Sequence, residues 1–171
     1  MKKLLVVMFA ALAFSCGNDK KNEKASEPVK AATEKPAETK APAADPNQAV
    51  VVIESNDQMK YNMSEIRVKA GQKVKLTLKH VGKMKKEVMG HNWVLLTQDA
   101  DVAAVGQAGA MAADNDYIPA DMTDKIIAYT KMIGGGQSDT IEFEAPAPGT
   151  YSFMCTFPGH YALMKGTFIV E

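Results

Sequence analysis

From residue 49 onward, hydrophobic positions fall into short runs whose period changes little. Ile66 and Val68 flank Arg67, and Val74, Leu76 and Leu78 are separated by Lys75 and Thr77. This two-residue alternation is expected of strands with one face buried and the other in water. Val50-Val51-Val52-Ile53 is unbroken and predicts a fully buried strand. Further strands are predicted at 93–96, 126–130, 140–143, 151–155 and 167–170, with Gly, Pro, Asn and Asp between them. The exception is the Ala-rich interval 99–113, whose small and apolar residues favour a helix within a long connection. The pattern therefore predicts an all-β domain of eight strands, an antiparallel two-sheet sandwich with one helical insertion.

The first 48 residues follow no such pattern. Lys2 and Lys3 precede an apolar run from Leu4 to Phe14. That run is too short to span a bilayer and has the charged and hydrophobic regions of a secretory signal, predicted over 1–15. Cys16 closes the run where a bacterial lipobox would place the Cys that becomes the lipid-bearing first residue. The match departs from the usual pattern in having Ala13 three residues before the Cys, with Leu12 one place further back. Residues 16–48 are mostly Lys, Glu, Ala, Pro, Thr and Asn, too poor in large apolar side chains to offset their conformational entropy. They are expected to form a disordered, lipid-anchored tether reaching roughly 30 Å as a flexible coil and about 95 Å if fully extended. Such an anchor would place the domain 49–171 at a membrane, in the periplasm or elsewhere in the cell envelope.

Composition removes several functions. The 171 residues carry 20 basic and 20 acidic side chains, so there is no basic footprint for nucleic acid. Residues 49–171 hold 12 basic and 14 acidic side chains, a net charge of −2. Three histidines and two cysteines are too few for a multinuclear metal enzyme or a disulfide framework. Eleven methionines are explained first as flexible core filling.

The chemistry concentrates near the C-terminus, in Cys155-Thr-Phe-Pro-Gly-His160-Tyr-Ala-Leu-Met164. A thiol, an imidazole and a thioether fall on one loop between two predicted strands, and Pro158-Gly159 can turn the chain so that they converge. His91, directly before another strand, is the best further donor, with His80 the other histidine available. Thiolate and thioether donors select copper, whereas zinc rarely uses Met, and a zinc catalyst needs an open position with a nearby base. The loop contains no Asp or Glu.

Asn56-Asp57-Gln58-Met59, Val88-Met89-Gly90-His91-Asn92-Trp93-Val94-Leu95 and Cys155-Thr156-Phe157-Pro158-Gly159-His160 together resemble the azurins, blue-copper proteins of the cupredoxin family. The Cys–His–Met spacing is also the azurin one, different from that of plastocyanin-like relatives. The resemblance implies a Greek-key cupredoxin sandwich and one type 1 copper. His91, Cys155 and His160 would form a trigonal plane, with Met164 as a long axial ligand and the Gly90 carbonyl opposite. It further implies that Asn92 ties the two ligand loops together, that His80 lies near the site without binding metal, and that Trp93 belongs to the core. Met84, Val88, Met89, Phe157, Pro158 and Leu163 would form an apolar docking patch around His160. The partners implied are transient redox proteins: c-type cytochromes, copper nitrite reductase or cytochrome c peroxidase. Lipid-modified azurins share the lipobox and tether. Where azurins carry a disulfide, this chain has Ala49 and Gly71.

The function expected is one-electron transfer. A copper chaperone or store is the alternative, suggested by the methionines, although a closed set of four donors disfavours it. An enzyme would need a second copper centre or a nucleophile with a positioned base, and the remaining histidine cannot supply either.

Overall fold

A computed structural model describes residues 45–171. The expected signal segment, Cys16 and the tether up to residue 44 lie outside the described residues. Strands β1 (Gln48–Asn56), β2 (Lys60–Tyr61), β4 (Lys73–His80) and β7 (Ser138–Glu144) form one sheet in the order β2-β1-β4-β7. Strands β3 (Glu65–Val68), β9 (Lys165–Val170), β8 (Gly149–Met154), β5 (Val94–Leu96) and β6 (Ile126–Tyr129) form the second, in the order β3-β9-β8-β5-β6. The inward faces meet in one core. Ile53, Val74, Leu76 and Leu78 from the first sheet pack with Ile66, Leu95, Phe153, Phe168 and Trp93. Trp93 stands at the centre against Phe143, Phe153 and Phe168.

The two-layer sandwich matches the expectation, with three corrections. Nine strands are present among the described residues rather than eight, because β2 has only two residues, too few to show a period. The sheets are mixed rather than antiparallel: β1 runs parallel to β4, and β3 parallel to β9. The chain leaves the first sheet after β2, crosses to the second as β3 and returns as β4 beside β1, and alternation of side chains carries no record of that direction. Finally, β1 is buried on one face only. Ile53 is 0% exposed, but Val50 and Val52 are 66% and 42% exposed, since no second layer covers the outer side of this sheet.

The predicted insertion is helix α2 (Val102–Met111), following a short helix α1 (Lys86–Met89) that periodicity does not reveal. Asp101 caps α2, its carboxylate accepting from the Ala103 and Ala104 N–H groups at 2.8 and 3.2 Å, a bond that typically stabilises a helix by about 1 kcal/mol. The helix lays Val105 against Val94, Leu96, Ile118 and Met154, closing a second apolar cluster behind β8. Strand β8 is thus packed on both sides, and the loop that follows it is held at one end of the sandwich.

Candidate metal centre

Cys155 follows β8 directly, and its N–H donates to the Met164 carbonyl at 2.9 Å. The Met164 N–H donates in turn to the His160 carbonyl at 2.7 Å, and the His160 N–H to the Phe157 carbonyl at 3.0 Å. The loop is therefore closed by its own backbone, with the turn made at Gly159, whose φ is 80°. His91 is fixed by a reciprocal pair of bonds with Ile133, at 3.0 and 2.8 Å.

These two segments bring His91, Cys155 and His160 together. One donor atom from each lies within 4.8 Å of the others, and all three residues are buried. The Cys155 Sγ is 3.6 Å from His160 Nδ1 and 4.0 Å from His91 Nδ1. The Nε2 of His91 lies 2.9 Å from the Asn56 carbonyl, which can only accept, so the proton sits there and Nδ1 keeps its lone pair toward the sulfur. Met164 is fully buried in the cluster that holds Cys155, Phe157 and Met132, and the Gly90 carbonyl is 3.9 Å from Sγ. A Cβ on Gly90 would stand 2.6 Å from the Lys86 carbonyl and 2.9 Å from the Phe157 ring, so only glycine lets that carbonyl approach.

The electrostatics fit a cation. Burial pushes the Cys155 thiol up to about 12, against backbone N–H groups of Asn92 and Phe157 that favour its anion. Burial pushes both His91 and His160 down to about 4. Two neutral imidazoles thus face a thiol whose ionisation needs a positive charge between them, the donor set that suits copper.

Around the donors, Asn92 makes two bonds to the residue after Cys155: Nδ2 donates to Thr156 Oγ1 at 2.7 Å, and the Thr156 N–H donates to Asn92 Oδ1 at 2.9 Å. His80 is stacked on His91 with ring centroids 4.5 Å apart. Its Nδ1 accepts from Gly82 N–H and its Nε2 faces the Met89 carbonyl, both at 3.0 Å, so both ring nitrogens are engaged outside the donor set.

The model for copper binding proteins of the plastocyanin/azurin family matches residues 47–171. The chain belongs to the plastocyanin/azurin family. It is similar to an azurin of Achromobacter denitrificans, 49% identical over 125 residues that cover 70% of this chain and 83% of that protein. Azurin-2 of Alcaligenes xylosoxydans xylosoxydans is also 49% identical, over 70% of this chain and 95% of its own length. Among solved structures, dithionite-reduced auracyanin from Roseiflexus castenholzii shares 42% identity at a TM-score of 0.64, covering 71% and 96% of the two chains. The family, together with the His91–Cys155–His160 cluster, makes this a blue-copper electron-transfer protein with one type 1 copper site.

The residues expected to form the family's docking patch differ in exposure. Val88 and Leu163 are 63% and 66% exposed, and Met84 and Pro158 are exposed as well. Met89 is half-buried, and Phe157 is buried, its ring 4.7 Å from His160 and 5.1 Å from Tyr117. Phe157 therefore backs the patch rather than presenting to solvent. His160 keeps 3% of its surface exposed, whereas His91 keeps none.

Three contributors escape sequence reasoning. Met59 and Met132 pack against the Cys155–Met164 cluster, and the Tyr61 hydroxyl donates to the Asn92 carbonyl at 2.5 Å. Met59 belongs to a stretch that carries the family resemblance, but nothing in its local pattern marks it as a wall of the site.

Proposed function

We propose that this protein works at the bacterial cell envelope, held to a membrane by lipid on Cys16, and relays single electrons between transient redox partners through the edge of His160. His91, Cys155 and His160 would hold the metal, with the Met164 thioether and the Gly90 carbonyl as the further donors beside them. Bound copper supplies a one-electron couple. The chain's own residues do the rest. His91 and His160 keep their Nδ1 lone pairs inward, Asn92 locks the two ligand loops, and Phe157, Met132 and Met59 exclude water. Apolar walls penalise the more charged, oxidised form of the site and so raise its potential. Because His160 is the one imidazole of the cluster with residual exposure, the electron path runs through it.

The single observation that carries this reading is three buried donor atoms within 4.8 Å of one another. An exposed apolar rim at Val88 and Leu163 suits brief encounters of small area. Partners of the kind expected are c-type cytochromes, copper nitrite reductase or cytochrome c peroxidase, with no chemistry performed on a substrate by this chain itself. Among the described residues the other buried histidine, His80, stands alone and cannot build a second copper centre. Adding Cu(II) to the copper-free full chain should give an intense visible charge-transfer band and a narrow copper hyperfine splitting in the paramagnetic resonance spectrum. A colourless protein with an ordinary tetragonal Cu(II) spectrum would overturn the assignment. Cys16→Ser should move the protein from the membrane to the soluble fraction with that spectrum unchanged, and its retention in the membrane would refute the anchor.

A further inference from the structure

The segment Lys83-Met84-Lys85-Lys86 places three cations within four residues in a domain whose net charge is −2. All three are exposed. Two acidic groups beside them are held by backbone N–H groups. Asp57 is half-buried and accepts from the Lys83 and Met84 backbone N–H groups at 2.8 and 3.2 Å. Asp116 accepts from the Met132 N–H at 2.7 Å and pairs with Lys86 at 3.4 Å. Among the described residues Lys83 and Lys85 have no ion-pair partner, and Glu87, exposed, directly follows the run. Lys83 and Lys85 therefore present unpaired positive charge to solvent, while Lys86 is offset by Asp116.

The segment is also held rigidly and at the right place. The Gly135 N–H donates to the Met84 carbonyl at 2.8 Å, and a Cβ on Gly135 would lie 2.5 Å from the Lys83 carbonyl carbon, so the two stretches of backbone touch. Between them is a cavity of about 240 Å³ lined by Lys83, Lys85, Lys86, Glu87, Gly134 and Gly135, among others, with room for a carboxylate side chain. From Lys86 a chain of contacts runs through Asp116 and its neighbour Tyr117 to Phe157 and the His160 ring. Lys86 thus stands beside the face through which electrons leave, and Lys83 and Lys85 belong to the same exposed segment, next to Met84 of the docking patch.

We infer that this lysine rim selects a redox protein that presents carboxylates around its own exposed cofactor edge. The inference rests on the electron-transfer reading above and specifies the partner's chemistry. An apolar patch of small area gives little orientation by itself, whereas opposite charges beside it raise the encounter rate and fix which faces meet. Like charges opposite Lys83 and Lys85 exclude a partner with a basic rim.

Stopped-flow oxidation of the reduced, copper-loaded full chain tests this. With hexacyanoferrate(III), one electron passes from the protein and hexacyanoferrate(II) forms, with no atom transferred. The rate should fall as salt rises, while a cationic cobalt(III) phenanthroline complex should show the opposite trend. In the double variant Lys83→Glu/Lys85→Glu, the low-salt rate with the anion should drop on the order of tenfold, the salt trend should flatten or invert, and the visible spectrum should be unchanged. Lys69→Glu/Lys75→Glu, at the other end of the sandwich, makes the same change in net charge and should have much less effect. An acidic cytochrome c should be oxidised or reduced faster than a basic one at low salt, and the difference should vanish in the Lys83/Lys85 variant. Equal effects of the two double variants, or salt-independent rates with both complexes, would overturn the lysine rim while leaving electron transfer intact. Failure to exchange electrons with any of these reagents would instead defeat the underlying reading.

Discussion

Met59 occupies a position that a glycine would fill with less strain, and the consequence can be measured. The β1–β2 hairpin pairs Ser55 with Tyr61 and Asn56 with Lys60, leaving a three-residue loop that ends in Met59 at φ 56°. Three-residue hairpin loops commonly end in a left-handed residue, and glycine is the usual choice there. For any residue with a Cβ the left-handed conformation costs roughly 1–2 kcal/mol. Glycine avoids that, but its greater freedom in the unfolded chain takes back roughly 0.5–1 kcal/mol. Met59→Gly and Met59→Ala both remove the thioether from the wall of the site, so packing loss cancels between them. The glycine variant should then be the more stable of the two by about 1 kcal/mol. With m near 2 kcal/mol/M this is a urea midpoint about 0.5 M higher for the copper-free protein. Retention of copper against a chelator should fall by the same factor in both variants, because sealing depends on the side chain and not on the backbone. If the alanine variant equals or exceeds the glycine variant in midpoint at constant m, the strain argument is wrong. If copper retention follows stability instead of side-chain loss, Met59 has no sealing role.

Cys155→Ser should abolish the visible charge-transfer band, and Met164→Gln should keep a copper site of lowered potential; optical titration and voltammetry check both, and a variant without the thiol that stayed blue would contradict the donor set. Asn92→Ala removes the bonds at 2.7 and 2.9 Å and leaves the buried Thr156 N–H unpaired, so the copper-free protein should lose roughly 2–4 kcal/mol by denaturant titration. Because His91 and His160 titrate near 4 in the folded, copper-free protein and near 6.5 when unfolded, the unfolded chain binds more protons between those values. Stability should therefore be flat from about pH 6.5 to about 8 and fall below pH 6.5 by about 1.4 kcal/mol per pH unit for each histidine, levelling off near pH 4; an unchanged urea midpoint from pH 7 to 4.5 would refute this. At pH 7 the thiol is protonated and both imidazoles are neutral, so copper uptake should release about one proton per chain, measurable with an indicator dye.

What could be foreseen from the sequence was whatever depends on local spacing. The eight longer strands and α2 follow from alternation and an Ala-rich interval, and the loop from Cys155 to Met164 announces its donors because they are close along the chain. What escaped depends on contacts between distant segments. Val50 and Val52 look like core until the absence of a covering layer is known. The parallel pairing of β1 with β4 is decided by two crossings between sheets. Tyr61 reaches Asn92 from 31 positions away, and Met59 acquires its role from a hairpin that a two-residue strand is too short to advertise. The family resemblance puts Phe157 in the docking patch, yet its ring turns inward between Tyr117 and His160.

The single tryptophan gives this domain a built-in optical gauge. Trp93 is fully buried among phenylalanines, and its indole N–H has no hydrogen-bond partner among the described residues. An excited indole shifts its emission to the red when polar neighbours reorient around it, and here its N–H is bonded to none among the described residues. Its fluorescence should therefore lie at the blue limit for tryptophan with resolved vibrational structure. Exposure to water on unfolding should move it far to the red. Two residues from His91, the same chromophore should dim when the metal binds, so folding and loading can be followed separately by wavelength and by brightness without attaching a label.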